Sequence, residues 1–247
     1  MAGAWRVRQG EDVKTVEYAP GRLADLHPGA GAGHVLLWHG RQPDMRAAVA
    51  PLSDLIAARG PTVHAADWNS HADDGGRSDV LASLRFVRKS IEDDGGDPDS
   101  LVLVGWSLGG TAAAGLTLHA RRLGVAVAHT VCLAGGFPAP DPISGEQLLT
   151  ERLPSSKRPS PFTLLHGIAD DVVPVSTSRA FAQQLAQAGW PVEVVELPTD
   201  HGGIAGAELD PTGDGYQPAS DEATKSVASE IADRIAALTP SGETPRP

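Results

Sequence analysis

A serine lies between two glycines in the segment Gly105-Trp106-Ser107-Leu108-Gly109, which follows an apolar run and precedes a run of small residues. A sharp strand-to-helix turn needs glycines two residues before and after its central residue, because side chains there would collide as the backbone folds back on itself. On such a turn the Ser107 hydroxyl projects from the top of a sheet. The sequence therefore predicts Ser107 as a nucleophile for acyl transfer.

A serine hydroxyl needs a base within hydrogen-bond reach, and four histidines follow Ser107 in the chain. His119 falls on the predicted helix after the turn, His129 lies inside a predicted strand, and His166 closes another strand. His201 lies in a loop after the last predicted strand, and the glycines that follow it give this loop freedom to carry the imidazole over Ser107. We therefore predict His201 as the base.

The histidine base needs a carboxylate to orient it, and two adjacent candidates, Asp170 and Asp171, follow a predicted strand. For a nucleophile on a strand-to-helix turn the chain order is serine, acid, histidine, which both aspartates satisfy. Spacing does not choose between them. Asp200 adjoins His201, but a neighbour in sequence rarely points back along the same imidazole.

The elements around these residues predict an α/β fold. Apolar runs bounded by Gly, Pro and Asp alternate with helical patterns, which indicates βαβ units and a mainly parallel, twisted sheet with helices on both faces. The predicted strands are residues 15–18, 34–38, 62–66, 101–105, 126–133, 162–166 and 192–197. The predicted helices are residues 46–58, 79–92, one directly after Ser107, about 178–188, and 221–238 with Ser220 as its N-cap.

We expect one domain over residues 1–238 and a disordered tail over residues 239–247. The proline-rich stretch 137–161 includes a short predicted helix, residues 145–152, and resembles an excursion over the sheet edge. In this fold class such an excursion often serves as a lid, and we expect at most a small one here.

Composition limits the partners. The formal net charge is −11 and the basic residues form no long cluster, which argues against nucleic acid and acidic membrane surfaces. No long apolar run occurs, and the N-terminus lacks the apolar stretch of a secretory signal, so we expect a cytoplasmic protein. The single cysteine, Cys132, excludes an internal disulfide and indicates a core residue. We expect a small-molecule ester substrate and no cofactor. The sequence leaves open whether the protein forms a homodimer.

Several motifs together resemble the α/β-hydrolase superfamily: the Ser107 turn, the late His201, and His166-Gly-Ile-Ala-Asp170-Asp-Val-Val-Pro174. The resemblance implies that Asp170, four residues after His166, is the catalytic acid. A closer likeness covers most of residues 16–200. The segments that carry it are Tyr18-Ala-Pro-Gly-Arg-Leu-Ala-Asp25-Leu, the strand ending at His39-Gly40, Leu84-Arg-Phe-Val-Arg88 and Gly95-Gly-Asp-Pro-Asp-Ser100.

These segments are similar to the carboxylesterase branch, which includes hormone-sensitive-lipase-like esterases, feruloyl-esterase-like proteins and kynurenine formamidases. The pattern also resembles dienelactone-hydrolase-like members. The resemblance implies cleavage of esters or amides through an acyl-enzyme. An acyltransferase or cyclase with the same residues, and a ligand-binding member without catalysis, are the alternatives.

The chain departs from that branch after His39-Gly40, where Arg41 replaces the usual second glycine. A backbone donor does not depend on its side chain, so we expect the N–H groups of Arg41 and Leu108 to form the oxyanion hole. The Arg41 guanidinium either faces an acidic substrate or is an ordinary exposed arginine.

Two tryptophans are candidates for substrate binding. Trp68 follows a predicted strand at the catalytic edge, and Trp106 precedes the nucleophile. In the same loop as Trp68, His71 and Asp73 have metal-compatible side chains, but two ligands are too few. We predict no metal site.

Overall fold

The computed structural model describes residues 12–150, 152–212 and 215–240. Eight strands form one sheet in the order β1-β2-β4-β3-β5-β6-β7-β8. They are β1 (Lys14–Ala19), β2 (Arg22–His27), β3 (His34–Trp38), β4 (Thr62–Ala66), β5 (Val102–Trp106), β6 (His129–Leu133), β7 (Phe162–Gly167) and β8 (Val192–Leu197). A hairpin of two short strands, β9 (Ala207–Leu209) and β10 (Tyr216–Pro218), lies outside it.

The sheet is parallel from β4 to β8, whereas β1 and β2 form an antiparallel edge on β4. Five helices cover it: α1 (Arg46–Ala57), α2 (Arg77–Asp93), α3 (Leu108–Leu123), α4 (Ser176–Gln187) and α5 (Glu222–Ala236). Parallel strands end at the same edge of a sheet, so the loops after β3, β5, β7 and β8 meet there. This edge holds the predicted nucleophile, acid and base.

Strand β3 shows why its sequence is almost wholly apolar. Leu37 packs in one buried cluster with Leu52 of α1 and Ile231 of α5. Leu36 faces the other way, into a cluster with Leu84 of α2 and Ala112 of α3. A strand covered by helices on both faces gains hydrophobic stabilisation from every side chain, which removes the usual alternation of polar and apolar residues.

The observed fold confirms the α/β class, and the boundaries of β3, β4 and β8 match the predicted ones. Three of the described strands were missed: β2, β9 and β10. The predicted strand 126–133 begins only at His129. No described helix is long and apolar enough to cross a membrane.

Two local predictions were wrong. Helix α5 is capped by Asp221 rather than Ser220: the Asp221 carboxylate accepts the Thr224 N–H at 2.8 Å, while the Ser220 hydroxyl bonds to Glu208. The predicted helix over 145–152 does not form in its described part, where turns follow an isolated bridge between Pro140 and Gln147.

The stretch around these turns is packed onto the body of the protein. Phe137, Leu148 and Leu153 are buried with Phe181 and Leu185 of α4. The tail predicted over 239–247 lies, from residue 241 onward, outside the described residues.

Candidate active site

Ser107 occupies the sharp turn between β5 and α3 with φ 56° and ψ −119°. This backbone conformation is rare for a residue with a side chain and concentrates at functional sites. The flanking glycines explain how the turn fits: a Cβ on Gly105 would lie 2.1 Å from the Gly109 carbonyl oxygen, and one on Gly109 would lie 2.3 Å from that of Trp38. The Gly136 N–H also donates to the Ser107 carbonyl at 2.8 Å.

His201 lies in the loop after β8 and is 4% exposed. Its Nδ1 is 2.7 Å from Asp170 Oδ2, so Nδ1 donates to the carboxylate and Nε2 is left as an acceptor. The indole Nε1 of Trp106 donates to the His201 carbonyl at 2.9 Å, which ties the loop to the end of β5, directly before Ser107.

Asp170 is held by four groups. Oδ1 accepts the N–H groups of Val172 and Val173 at 2.9 and 2.7 Å, and Oδ2 faces both His201 and His166, whose Nε2 is 3.3 Å away. Burial alone would raise the pKa of Asp170, but the hydrogen bonds from the two histidines and from Val173 hold it well below its ordinary value. The carboxylate is therefore ionised at neutral pH.

The neighbouring Asp171 is exposed, and no hydrogen bond or ion pair joins it to another described residue. Spacing left the two aspartates equivalent. The structure brings Asp170, and not Asp171, into contact with the imidazole.

Ser107 and His201 line one cavity of about 580 Å³ together with Trp106, Leu108 and Arg41. No hydrogen bond joins Ser107 Oγ to His201 among the described residues. In unliganded enzymes this bond is often long and tightens only when substrate is bound.

The loop after β3 passes beside Ser107, since a Cβ on Gly40 would lie 3.4 Å from that of Ser107. His39 is fully buried behind the loop and its Nδ1 bonds to the Gly40 carbonyl at 2.9 Å. The Ser70 hydroxyl donates to the Arg41 carbonyl. These contacts fix the backbone of the loop before any ligand arrives.

The backbone N–H groups of Arg41 and Leu108 donate to no other residue in the described part of the chain. Leu108 opens α3, where N–H groups have no partner within the helix and the helix dipole favours negative charge. Both residues line the cavity, so both donors are available to an oxygen of a bound ligand.

The two tryptophans lie in different places. Trp106 lines the cavity, whereas Trp68 is fully buried behind it and is not part of the cavity wall. The Trp68 indole donates to the His39 carbonyl at 3.0 Å, so Trp68 supports the loop that carries Arg41. The expectation that Trp68 lines the pocket is wrong because the direction of its side chain, into the core, cannot be read from its position in the chain.

Tyr216 of β10 also lines the cavity and was missed from the sequence. Its ring meets that of Trp106 edge-on, with centroids 4.9 Å apart, and lies 6.2 Å from the His201 ring. Strand β10 has three residues, too few for a periodic signal. Near Trp68, His71 and Asp73 are exposed, and the described residues contain no group of three or more side chains suited to a metal ion.

The mainly parallel eight-stranded sheet, with a serine on the turn after its central strand β5, defines the α/β-hydrolase fold. Residues 40–202 match the model of the FSH1 serine hydrolase family, and the chain belongs to that family.

A curated relative is the esterase LipQ of Mycobacterium tuberculosis, which is 30% identical over 157 residues, or 50% of this chain and 37% of LipQ. The chain thus matches well under half of the length of that relative. Among solved structures, Thermogutta terrifontis esterase 2 phosphoramylated by tabun superposes with a TM-score of 0.70 at 18% identity over 94% of this chain and 97% of that one. The butyrate-bound form of the same esterase superposes with a TM-score of 0.68 at 18% identity over 93% of this chain and 94% of that one. These structures share the fold.

Proposed function

We propose that Ser107, His201 and Asp170 act as a catalytic triad that hydrolyses carboxylic esters of small molecules. The observation that carries the proposal is the 2.7 Å contact between Asp170 Oδ2 and His201 Nδ1 beside a cavity that Ser107 shares. A histidine held in this tautomer by an ionised carboxylate presents a basic Nε2 to the serine hydroxyl. LipQ and the Thermogutta protein are both esterases, which agrees with the proposal.

In the first half of the reaction, Ser107 Oγ attacks the ester carbonyl while His201 Nε2 takes the hydroxyl proton. The carbonyl π electrons move to oxygen, and the Arg41 and Leu108 N–H groups stabilise that negative charge. When the intermediate collapses, the bond to the alcohol oxygen breaks and the alcohol leaves with the proton from His201. An acyl group then remains on Ser107.

In the second half, water attacks the acyl-enzyme. His201 takes a proton from the water, the second tetrahedral intermediate collapses, and the proton passes to Ser107 Oγ as the carboxylic acid is released. Asp170 stays ionised throughout and stabilises the imidazolium in both halves, which agrees with its lowered pKa.

The test is the variant Ser107→Ala, assayed with para-nitrophenyl butyrate and with a fluorophosphonate probe. We expect hydrolysis to fall by at least about 10⁴-fold, because removal of a triad nucleophile leaves only binding and the oxyanion hole. Probe labelling should be lost completely. The matched control is Ser90→Ala in α2, which removes a hydroxyl that does not line the cavity and should behave as wild type. Retained labelling in Ser107→Ala would contradict the proposal.

A further inference from the structure

A second cavity adjoins the first. It has a volume of about 890 Å³ and shares Arg41, Leu108 and Ala139 with the cavity of the proposed triad. Its remaining walls come from the loop after β4, the start of α2, the end of α3 and the turns around Asp141. A ligand that extends from Ser107 past Leu108 enters this second cavity, which we call the polar cleft.

Guanidinium groups without partners line the polar cleft. The side chains of Arg41 and Arg122 are exposed there and form no hydrogen bond or ion pair with any described residue. Arg77 donates through Nε to the Ile143 carbonyl at 3.0 Å. This bond fixes the guanidinium at the rim while its terminal nitrogens donate to no described residue.

Arg22 of β2 and Arg46 of α1, by contrast, are paired with carboxylates. Arg22 contacts Asp67 at 3.0 Å and Asp79 at 2.9 Å, and Arg46 contacts Asp25 at 2.7 Å. In a chain with a net charge of −11, carboxylates outnumber the basic groups. The unpaired arginines of the polar cleft therefore differ from Arg22 and Arg46, whose charges are neutralised by neighbouring carboxylates.

The two acidic residues of the polar cleft are occupied by their own turns. Asp74 accepts the N–H groups of Gly76 and Ser78 at 3.0 and 2.8 Å. Asp141 is fully buried and accepts the Ile143 N–H at 2.6 Å, and burial raises the pKa of this carboxyl. Neither carboxylate contacts a cation of the cleft, so the cleft presents positive charge to a ligand.

We propose that the polar cleft binds an anionic group, such as a carboxylate, on the ester that Ser107 cleaves. This inference rests on the proposed function and adds a substrate class to it. Arg41 is the cation shared by both cavities, so its guanidinium meets the anion on substrates of moderate length, in the planar, two-pronged geometry that carboxylates favour. Arg122 lies 14 residues along α3 from Leu108, about 21 Å at 1.5 Å per residue, and meets only longer ligands.

The experiment compares esters that differ only in charge. The mono-para-nitrophenyl esters of adipic, suberic and sebacic acid carry a terminal carboxylate, and para-nitrophenyl hexanoate, octanoate and decanoate are their neutral counterparts. For charge on the alcohol, para-acetoxybenzoate is compared with para-acetoxybenzamide. We expect wild type to show a higher kcat/KM for the carboxylate in at least one pair, with the advantage lowered by salt.

Three variants assign the effect. Arg41→Gln keeps the backbone N–H, so the ratio of kcat/KM for the charged ester to that for its neutral partner isolates the side chain. We expect this ratio to fall about fivefold in Arg41→Gln, the upper range for an exposed ion pair, and Arg122→Gln to lower it only for the longest esters. The control Arg121→Gln removes the same charge from the adjacent residue, which lies outside the polar cleft, and should leave the ratio unchanged.

Two failures are distinguishable. If neutral esters are cleaved but no carboxylate ester is preferred, or if Arg41→Gln changes the ratio no more than Arg121→Gln does, the inference is overturned while the proposed function stands. If no ester is cleaved at all, the proposed function fails. Calorimetric titration with adipate then decides for the cleft: binding to wild type that weakens in Arg41→Gln supports an anion site, and its absence overturns it.

Discussion

The loop that carries Asp170 and the loop that carries Arg41 flank the same serine, but they differ in how their polar groups are used. Asp170 is surrounded by four hydrogen-bonding groups, and His201 is fixed through both its ring and its carbonyl. At Arg41 the carbonyl is bound, whereas the N–H and the guanidinium have no partner among the described residues. A group that must keep one orientation has its hydrogen-bonding capacity filled by other protein groups. A group that must receive a ligand has donors without a protein partner.

The largest effect on activity should come from removing the charge of Asp170. Asp170→Asn removes the charge that stabilises the imidazolium and favours the wrong tautomer of His201, so we expect kcat for para-nitrophenyl butyrate to fall by about 10⁴-fold. Asp171→Asn, the matched control one residue away, should stay within about twofold of wild type, as exposed substitutions usually do. A larger loss in Asp171→Asn than in Asp170→Asn would show that Asp171 is the catalytic acid and that the assignment of Asp170 is wrong.

The sequence predicted that Asp170 or Asp171 is the acid, but spacing could not choose between them. The choice depends on local hydrogen bonds. The N–H groups of Val172 and Val173 both bond to Asp170 Oδ1, which turns this side chain inward and leaves the next one in solvent. Such a turn is set by hydrogen bonds that spacing does not encode. The resemblance to known hydrolases supplied the choice instead.

The fold likewise has elements that the sequence predicted and elements that depend on tertiary contacts. Strands β3, β4 and β8 were predicted with their boundaries. Interior strands such as β3 are covered on both faces and therefore form apolar runs, whereas β8 lies at the edge of the sheet and was recognised although it carries Glu193 and Glu196. Strand β2 was missed because it carries Arg22 and Asp25, both of which form ion pairs. It becomes a strand through its pairing with β1 and β4, which is tertiary information.

A smaller effect is expected on stability in acid. The folded-state pKa of Asp170 lies below its unfolded value of about 3.9, so the unfolded chain binds the proton more readily and the free energy of unfolding rises with pH. The stabilisation from this carboxylate is complete well above pH 4 and is lost as the pH falls below about 4 towards the folded-state pKa.

Urea unfolding of wild type and of the two asparagine variants at pH 7, 5 and 3 measures this contribution. The decrease in the free energy of unfolding from pH 5 to pH 3 should be smaller in Asp170→Asn than in wild type by about 1 kcal/mol, because each pH unit below the unfolded pKa of about 3.9 removes about 1.4 kcal/mol and pH 3 lies about 0.9 unit below it. Asp171→Asn should show the wild-type decrease. Equal pH dependence in all three proteins would mean that Asp170 titrates alike in the folded and unfolded states.

The smallest effects should come from the two indoles that support the two loops. Trp106 donates to the His201 carbonyl at 2.9 Å and Trp68 to the His39 carbonyl at 3.0 Å. Phe keeps most of the ring and removes the donor, so each Trp→Phe variant should lose about 0.5–1.5 kcal/mol of stability and no more than about tenfold in kcat/KM.

The two variants should nevertheless differ in substrate preference. Trp106 lines the cavity, so Trp106→Phe should change the order of activity across acyl chain lengths from acetate to octanoate. Trp68 lies behind the loop that carries Arg41, so Trp68→Phe should lower the rate for every chain length by the same factor. A change of preference in Trp68→Phe alone would show that the loop moves enough on binding to bring Trp68 to the substrate, and that the Arg41 side is less rigid than its hydrogen bonds indicate.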